Sequence, residues 1–233
     1  MFYRKSVKSL YCRTQDNQGF LAENFRNHRP GLSYLRLRKM IGIIGTAQPF
    51  VLIPGKFLVD GWGIQGSISA YYYTGMRDVF VGMLCAVAVF LISYNMYKRD
   101  YIAGRLAGTF AVCVAILPTM PSMNPSKSAE VIGKLHLASA AAFFLTIAYF
   151  SLALFTKTDP AKAPTPKKLQ RNVVYRACGF TILACLALIG LLQFVQTKIS
   201  LSRLHPLLWL ESIAVVAFGI SWLIKGGTLL QDN

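Results

Sequence analysis

Residues 131–155 read VIGKLHLASAAAFFLTIAYFSLALF, a run of 25 positions in which Lys134 is the one residue with a full charge. A helix of that length, rising about 1.5 Å per residue, is longer than the ~30 Å of hydrocarbon in a bilayer. Working outward, five further stretches have the same character, and spans are drawn at 38–58, 79–97, 104–120, 131–155, 173–195 and 206–224. Hydrophobic residues make up 54% of 233 positions, and the spans leave no stretch for a soluble catalytic domain. The expected fold is therefore all-α, a polytopic transmembrane bundle of six helices. Its short loops make neighbouring helices antiparallel.

Loop charge orients the bundle, because cytoplasmic segments retain Lys and Arg while translocated loops shed them. Residues 1–39 hold nine basic side chains, and Lys98, Arg99, Arg105, the 157–176 region and Lys225 bring that side to nineteen. The opposite side has six: Lys56, Arg77, Lys127, Lys134, Lys198 and Arg203. Both termini are expected in the cytoplasm, with a basic arm at 1–37, the membrane domain at 38–226 and a short tail at 227–233. Topological asymmetry, rather than nucleic-acid binding, accounts for most of the +16 charge. The pattern suits a bacterial inner (plasma) membrane.

In the arm, Tyr3, Val7, Leu10 and Tyr11 recur at helical spacing, with Arg4, Lys5, Lys8 and Arg13 on other faces. That suits a short helix on an anionic leaflet or a contact with a partner protein. A solvated basic tail and a mitochondrial presequence are the alternatives, while a cleavable secretory signal is excluded by the lack of an apolar core. Cys12, Cys85, Cys113, Cys178 and Cys185 read as packing residues, since no pair lies in an exported loop. The 156–172 segment, TKTDPAKAPTPKKLQRN, reads as a solvated linker. Small residues one turn apart, Gly104 with Gly108, Gly82 with Ala86 and Ala138 with Ala142, predict close helix contacts.

Pro49 and Pro54 predict that the outer half of the first span is kinked or unwound. Directly after it, residues 61–82 read GWGIQGSISAYYYTGMRDVFVG, the densest polar and aromatic run in the chain. Here Ser67, Ser69, Tyr71, Tyr72, Tyr73, Thr74, Arg77 and Asp78 offer donors, acceptors and an expected ion pair, and they form the candidate ligand-binding segment. An interfacial aromatic belt, with Thr74 and Asp78 capping the next helix, is the alternative. His136, His205 and Glu211 fall at the same membrane face. An acid in hydrocarbon must be paired, hydrated or protonated, so Glu211 should face the interior, with Arg77, Lys134 or His136 as partner. His136 and Glu211 are the candidate catalytic residues, as general base; a structural polar clasp between helices and a Glu211 left at the surface are the alternatives.

No spacing of HxxxH, HExxH or CxxC type fixes a metal set, so no metal or cofactor is expected. A haem lacks a companion ligand on either histidine's helix, and no mid-span lysine in the last helix supports a retinal linkage. The chain contains no phosphate-cradling GxxxxGK and no GxSxG elbow.

SISAYYYTGMRDVFVGMLCAVAVFLISY, AGRLAGTFAVCVAILPT, IGKLHLASAAAFFLTIAYFSLALF and WLESIAVVAFGISWLIKG together resemble a group of uncharacterised bacterial six-pass membrane proteins. The resemblance covers residues 38–226. More distantly, the start of the second span and the His-led fourth span are similar to eukaryotic GPI-anchor lipid-remodelling and autophagy-modulator membrane proteins. This implies membrane-lipid handling, with Ser67, Ser69, Tyr72, Arg77, Asp78, His136, Glu211 and Trp222 on the matching positions. The leading expectation is thus a membrane protein whose exported-side polar cleft binds a lipid or small amphiphile. A structural or accessory subunit is the alternative. A transporter would call for an inverted repeat, which the residues do not display.

Overall fold

The computed structural model describes residues 30–94, 98–121, 125–158, 163–195, 204–228 and 230. The chain divides into two units, Met1–Tyr34 and Leu35–Asn233. The patterned arm residues Tyr3, Val7, Leu10 and Tyr11, together with Cys12, lie outside the described residues. The second unit is the helical bundle.

Its helices are α1 (Pro30–Asp60, which begins in the first unit), α2 (Arg77–Ile92), α3 (Lys98–Ile116), α4 (Lys127–Tyr149), α5 (Pro166–Val195) and α6 (Pro206–Lys225). No strand occurs among the described residues. Four helical stretches, Tyr34–Asp60, Lys127–Leu154, Pro166–Gln193 and Pro206–Lys225, are long and apolar enough to cross a bilayer. These make the chain an integral membrane protein. α2, with 16 residues, rises only about 24 Å, and α3 carries Lys98, Arg99, Asp100 and Arg105 in its first half. The outer surface agrees with a hydrocarbon setting: Phe50 is 67% exposed and Phe180 62%, on long helices whose exposed faces water would not favour.

α1 runs unbroken through Pro49 and Pro54, so the expectation of an unwound outer half is corrected. Each proline removes one ladder donor without ending the helix. The half of α1 that precedes them packs closely against α6. A Cβ on Gly42 would meet the Leu223 backbone nitrogen at 2.7 Å, one on Gly45 the Phe218 ring at 2.8 Å, and one on Gly226 the Lys39 nitrogen at 2.9 Å. Residue numbers rise on one helix as they fall on the other, so the pair is antiparallel, its backbones brought together by small residues.

α2 and α3 pack in the same way. A Cβ at Gly104 would lie 2.5 Å from the Leu91 carbonyl oxygen, and one at Gly108 2.8 Å from that of Ala88. The predicted Gly82 contact does not form, since nothing lies within 4 Å of that position. α4 ends in a π-helical turn, Phe150–Leu154, where buried Ser151 donates to the Ser221 hydroxyl at 3.0 Å and ties α4 to α6. The predicted 156–172 linker is shorter than its composition suggests, because α5 already begins at Pro166, a residue whose fixed φ suits the first helical position. The described cysteines Cys85, Cys113, Cys178 and Cys185 are free thiols.

Candidate functional site

The loop joining α1 to α2 is pinned at both ends by α1 itself. Gly61 and Gly63 adopt positive φ values of 77° and 122°, which turn the chain back over the helix end. Lys56, almost fully buried, donates from Nζ to the Gly61 carbonyl at 3.1 Å, and the Asp60 carboxylate accepts from the Gly75 N–H at 2.8 Å. Between these anchors, Ser67 Oγ accepts from the Ala70 N–H at 3.0 Å, and a 3-10 turn runs from Ser69 to Tyr73. Neither Lys56 nor Asp60 was distinguished by its sequence context. A cation one turn before a Gly-x-Gly reversal is the one signal that marks Lys56.

The three tyrosines separate into three roles. Tyr71 is wholly buried in a cluster with Leu52, Ile68, Phe80, Leu84 and Leu208, and burial pushes its phenol above the usual range. It is a core residue. Tyr72 lies under the Arg77 guanidinium, 4.4 Å from ring centroid to Cζ, and accepts from Nη2 at 2.8 Å. Tyr73 donates to the Thr119 carbonyl at 2.5 Å and so links the loop to the end of α3. Arg77 therefore stacks on a ring instead of forming the expected ion pair, and exposed Asp78 makes no salt bridge among the described residues. Thr74 Oγ1 accepts from the Met76 N–H at 3.2 Å, but Met76 is the N-cap of α2 and no side chain caps the helix, so the expected capping by Thr74 and Asp78 is corrected.

Glu211 faces inward, as expected, but its partner is none of those proposed for it. Its Oε2 accepts from the backbone N–H of Ser69 at 3.2 Å. Lys134 pairs with Glu130 at 2.7 Å, Arg77 with Tyr72, and His136 Nδ1 with the Leu117 carbonyl at 2.6 Å. A carbonyl only accepts, so the His136 proton sits on Nδ1, and Nε2 is buried without a partner. His205 immediately precedes α6 with φ at 45°, a left-handed conformation ahead of Pro206, and caps nothing with its side chain. Ser69 and Glu211 are thus brought together, whereas Arg77, Asp78, His136 and His205 are each engaged or placed apart. Among the described residues no three His, Cys, Asp or Glu side chains gather as a metal set.

Two hollows adjoin this region on opposite faces of α6. One is a narrow cavity of about 40 Å³ between Glu211, Ser69, Gln48 and core rings. That volume accommodates a few waters and excludes a lipid headgroup. The other is an open groove of about 630 Å³ on the outer surface, between α1, α5 and α6, with Phe50, Ile53, Cys178, Trp209 and Ile213 in its walls.

At the far end of the bundle lies a polar cluster that the sequence did not announce. Arg38, 8% exposed, donates from Nε and Nη2 to the Tyr94 hydroxyl at 3.2 and 2.8 Å and from Nη1 to the Lys225 carbonyl at 3.4 Å. The buried Asp100 carboxyl hydrogen-bonds the same Tyr94 side chain. Rings close around this network: Trp222 lies 5.2 Å from Tyr94, 5.2 Å from Phe150 and 5.1 Å from Phe155 between centroids, and Lys225 Nζ sits 5.2 Å above Phe155. Trp222, matched through the family resemblance, belongs here, roughly 16 Å along α6 from Glu211.

Comparison with protein-family models, with curated proteins and with solved structures finds no match to this chain.

Proposed function

We propose that this integral membrane protein holds a lipid or small amphiphile, with the apolar chain in the α1/α5/α6 groove and the polar end toward the 61–76 loop. In this proposal the loop faces the exported side and both termini the cytoplasm. The groove carries the reading. Its volume of about 630 Å³ falls within the range of ligand sites, and its walls are apolar. Ser212, one of its few hydroxyls, is spent on the Leu208 carbonyl at 2.6 Å, so selection there is by shape and length. Trp209, half exposed at the rim nearest the start of α6, is the kind of amphipathic ring that settles at a membrane interface.

Binding is supported better than hydrolysis. His136 is committed to Leu117, and Glu211 lies on the side of α6 turned away from the groove, so neither reaches an occupant of it. The test is mass spectrometry of lipids retained by the full chain in mild detergent. Wild-type protein is expected to carry lipid, and Ala177→Trp, which fills the groove, is expected to lose most of it while its helical content is unchanged. Wild-type protein without bound lipid, or equal retention by the variant, would count against the proposal.

A structural or accessory subunit is the second reading, favoured by one observation. Glu211 and His136 both hold backbone groups of neighbouring segments, at Ser69 and Leu117, which is how a clasp between helices works.

A further inference from the structure

The small cavity beside Glu211 has a composition that its neighbours do not explain. Gln48, Ser69 and Glu211 bring oxygen-bearing side chains to a space of about 40 Å³ otherwise walled by residues such as Phe80, Phe143 and Phe218. Gln48 is buried in mid-helix, 5% exposed, where an amide is costly unless something engages it. Among the described residues no cationic side chain lies within ion-pair distance of Glu211, and Lys134 is paired with Glu130. Its hydrogen-bond donors, the backbone at Ser69 and Ile68, are neutral, so an ionised Glu211 has no counter-charge from them.

We infer that this cavity is a monovalent cation site, with the Glu211 carboxylate, the Gln48 amide oxygen and the Ser69 hydroxyl as its protein donors and sodium as the ion that suits it. A single carboxylate balances a single positive charge. Calcium takes six to eight oxygens, commonly from several carboxylates, and zinc or copper takes nitrogen or sulfur. His136 is held by Leu117, and no cluster of three such ligands occurs among the described residues. The space left over suits one or two waters to complete the coordination. The site is independent of the lipid groove, which lies on the other face of α6.

Thermal unfolding of the full chain in detergent, in sodium chloride against choline chloride at equal ionic strength, tests this. Ligand linkage predicts a saturable rise of about 3 °C or more with sodium. Gln48→Leu and Glu211→Gln are each expected to abolish the rise. Should Glu211→Gln not fold, the wild-type salt comparison and Gln48→Leu decide. Identical unfolding in both salts, a rise that survives in Gln48→Leu, or a protonated-carboxyl infrared band in sodium buffer that Glu211→Gln removes would overturn the inference. Lipid retention is no part of these readouts, so either idea can fail alone.

Discussion

The two ends of the bundle handle buried charge in opposite ways. Near Lys225, Arg38 and Asp100 share the Tyr94 hydroxyl, and rings fill the remaining space, so charge meets charge through a side chain and the volume is closed. Near the 61–76 loop, Glu211 meets a backbone N–H and a cavity. The first arrangement fills its volume with rings, leaving the buried Trp222 Nε1–H without an acceptor among the described residues, and reads as architecture. The second leaves charge and space unused, and that is where a ligand has something to gain.

The sharpest way to break this contrast is to remove the aromatic cage. Trp222→Ala, at a position with no exposure, should cost about 3–5 kcal/mol and prevent isolation of a stable bundle, read by thermal unfolding in detergent. Arg38→Leu should rank close behind at about 3 kcal/mol, because it strips the buried Tyr94 hydroxyl of two guanidinium donors and removes one of the cations around Asp100. Equal losses at Glu211 would erase the distinction between the ends. Next comes Gly219→Ala, whose new methyl would meet Thr46 and lie 2.8 Å from the Gly42 oxygen, with an expected loss of about 1–3 kcal/mol through overpacking of α1 on α6. Glu211→Ala orphans the Ser69 N–H and should cost about 1–2 kcal/mol, whereas Glu211→Gln keeps an acceptor there and should cost less than half of that. Smallest is Arg77→Ala, expected at about 0.5 kcal/mol, since an exposed guanidinium over Tyr72 is screened by water. A larger effect would mean that the Arg77 and Tyr72 pair does more than cover the loop.

Much of the fold was legible because hydropathy and helix length are local properties. Each drawn stretch is helical, but four of the helices are long and apolar enough to cross a bilayer, and ends are displaced: α2 stops at Ile92, five residues short of the drawn boundary, and α5 starts at Pro166, seven residues early. The inward orientation of Glu211 followed from the cost of an acid in hydrocarbon. Its partner did not, because a backbone N–H leaves no trace in residue identity. Asp60 and Lys56, which hold the loop, read as ordinary polar residues at a helix end until the Gly61 reversal brings the chain back onto them. The Arg38 cluster was invisible for a different reason. Arg38 and Lys225 are 187 positions apart, and each looked like one more cytoplasmic charge.

By itself the sequence determined the all-helical class and the membrane setting. These follow from transfer of side chains into hydrocarbon and from backbone hydrogen bonding within each helix, which need no knowledge of neighbours. Tertiary structure alone decided that Tyr71 is core while Tyr72 shelters Arg77, that Glu211 answers Ser69, and that a groove and a cavity lie on opposite faces of α6. Such pairings depend on which helices approach across a few ångströms at Gly42, Gly104 and Gly219, and residue spacing along one chain does not encode that choice of neighbour.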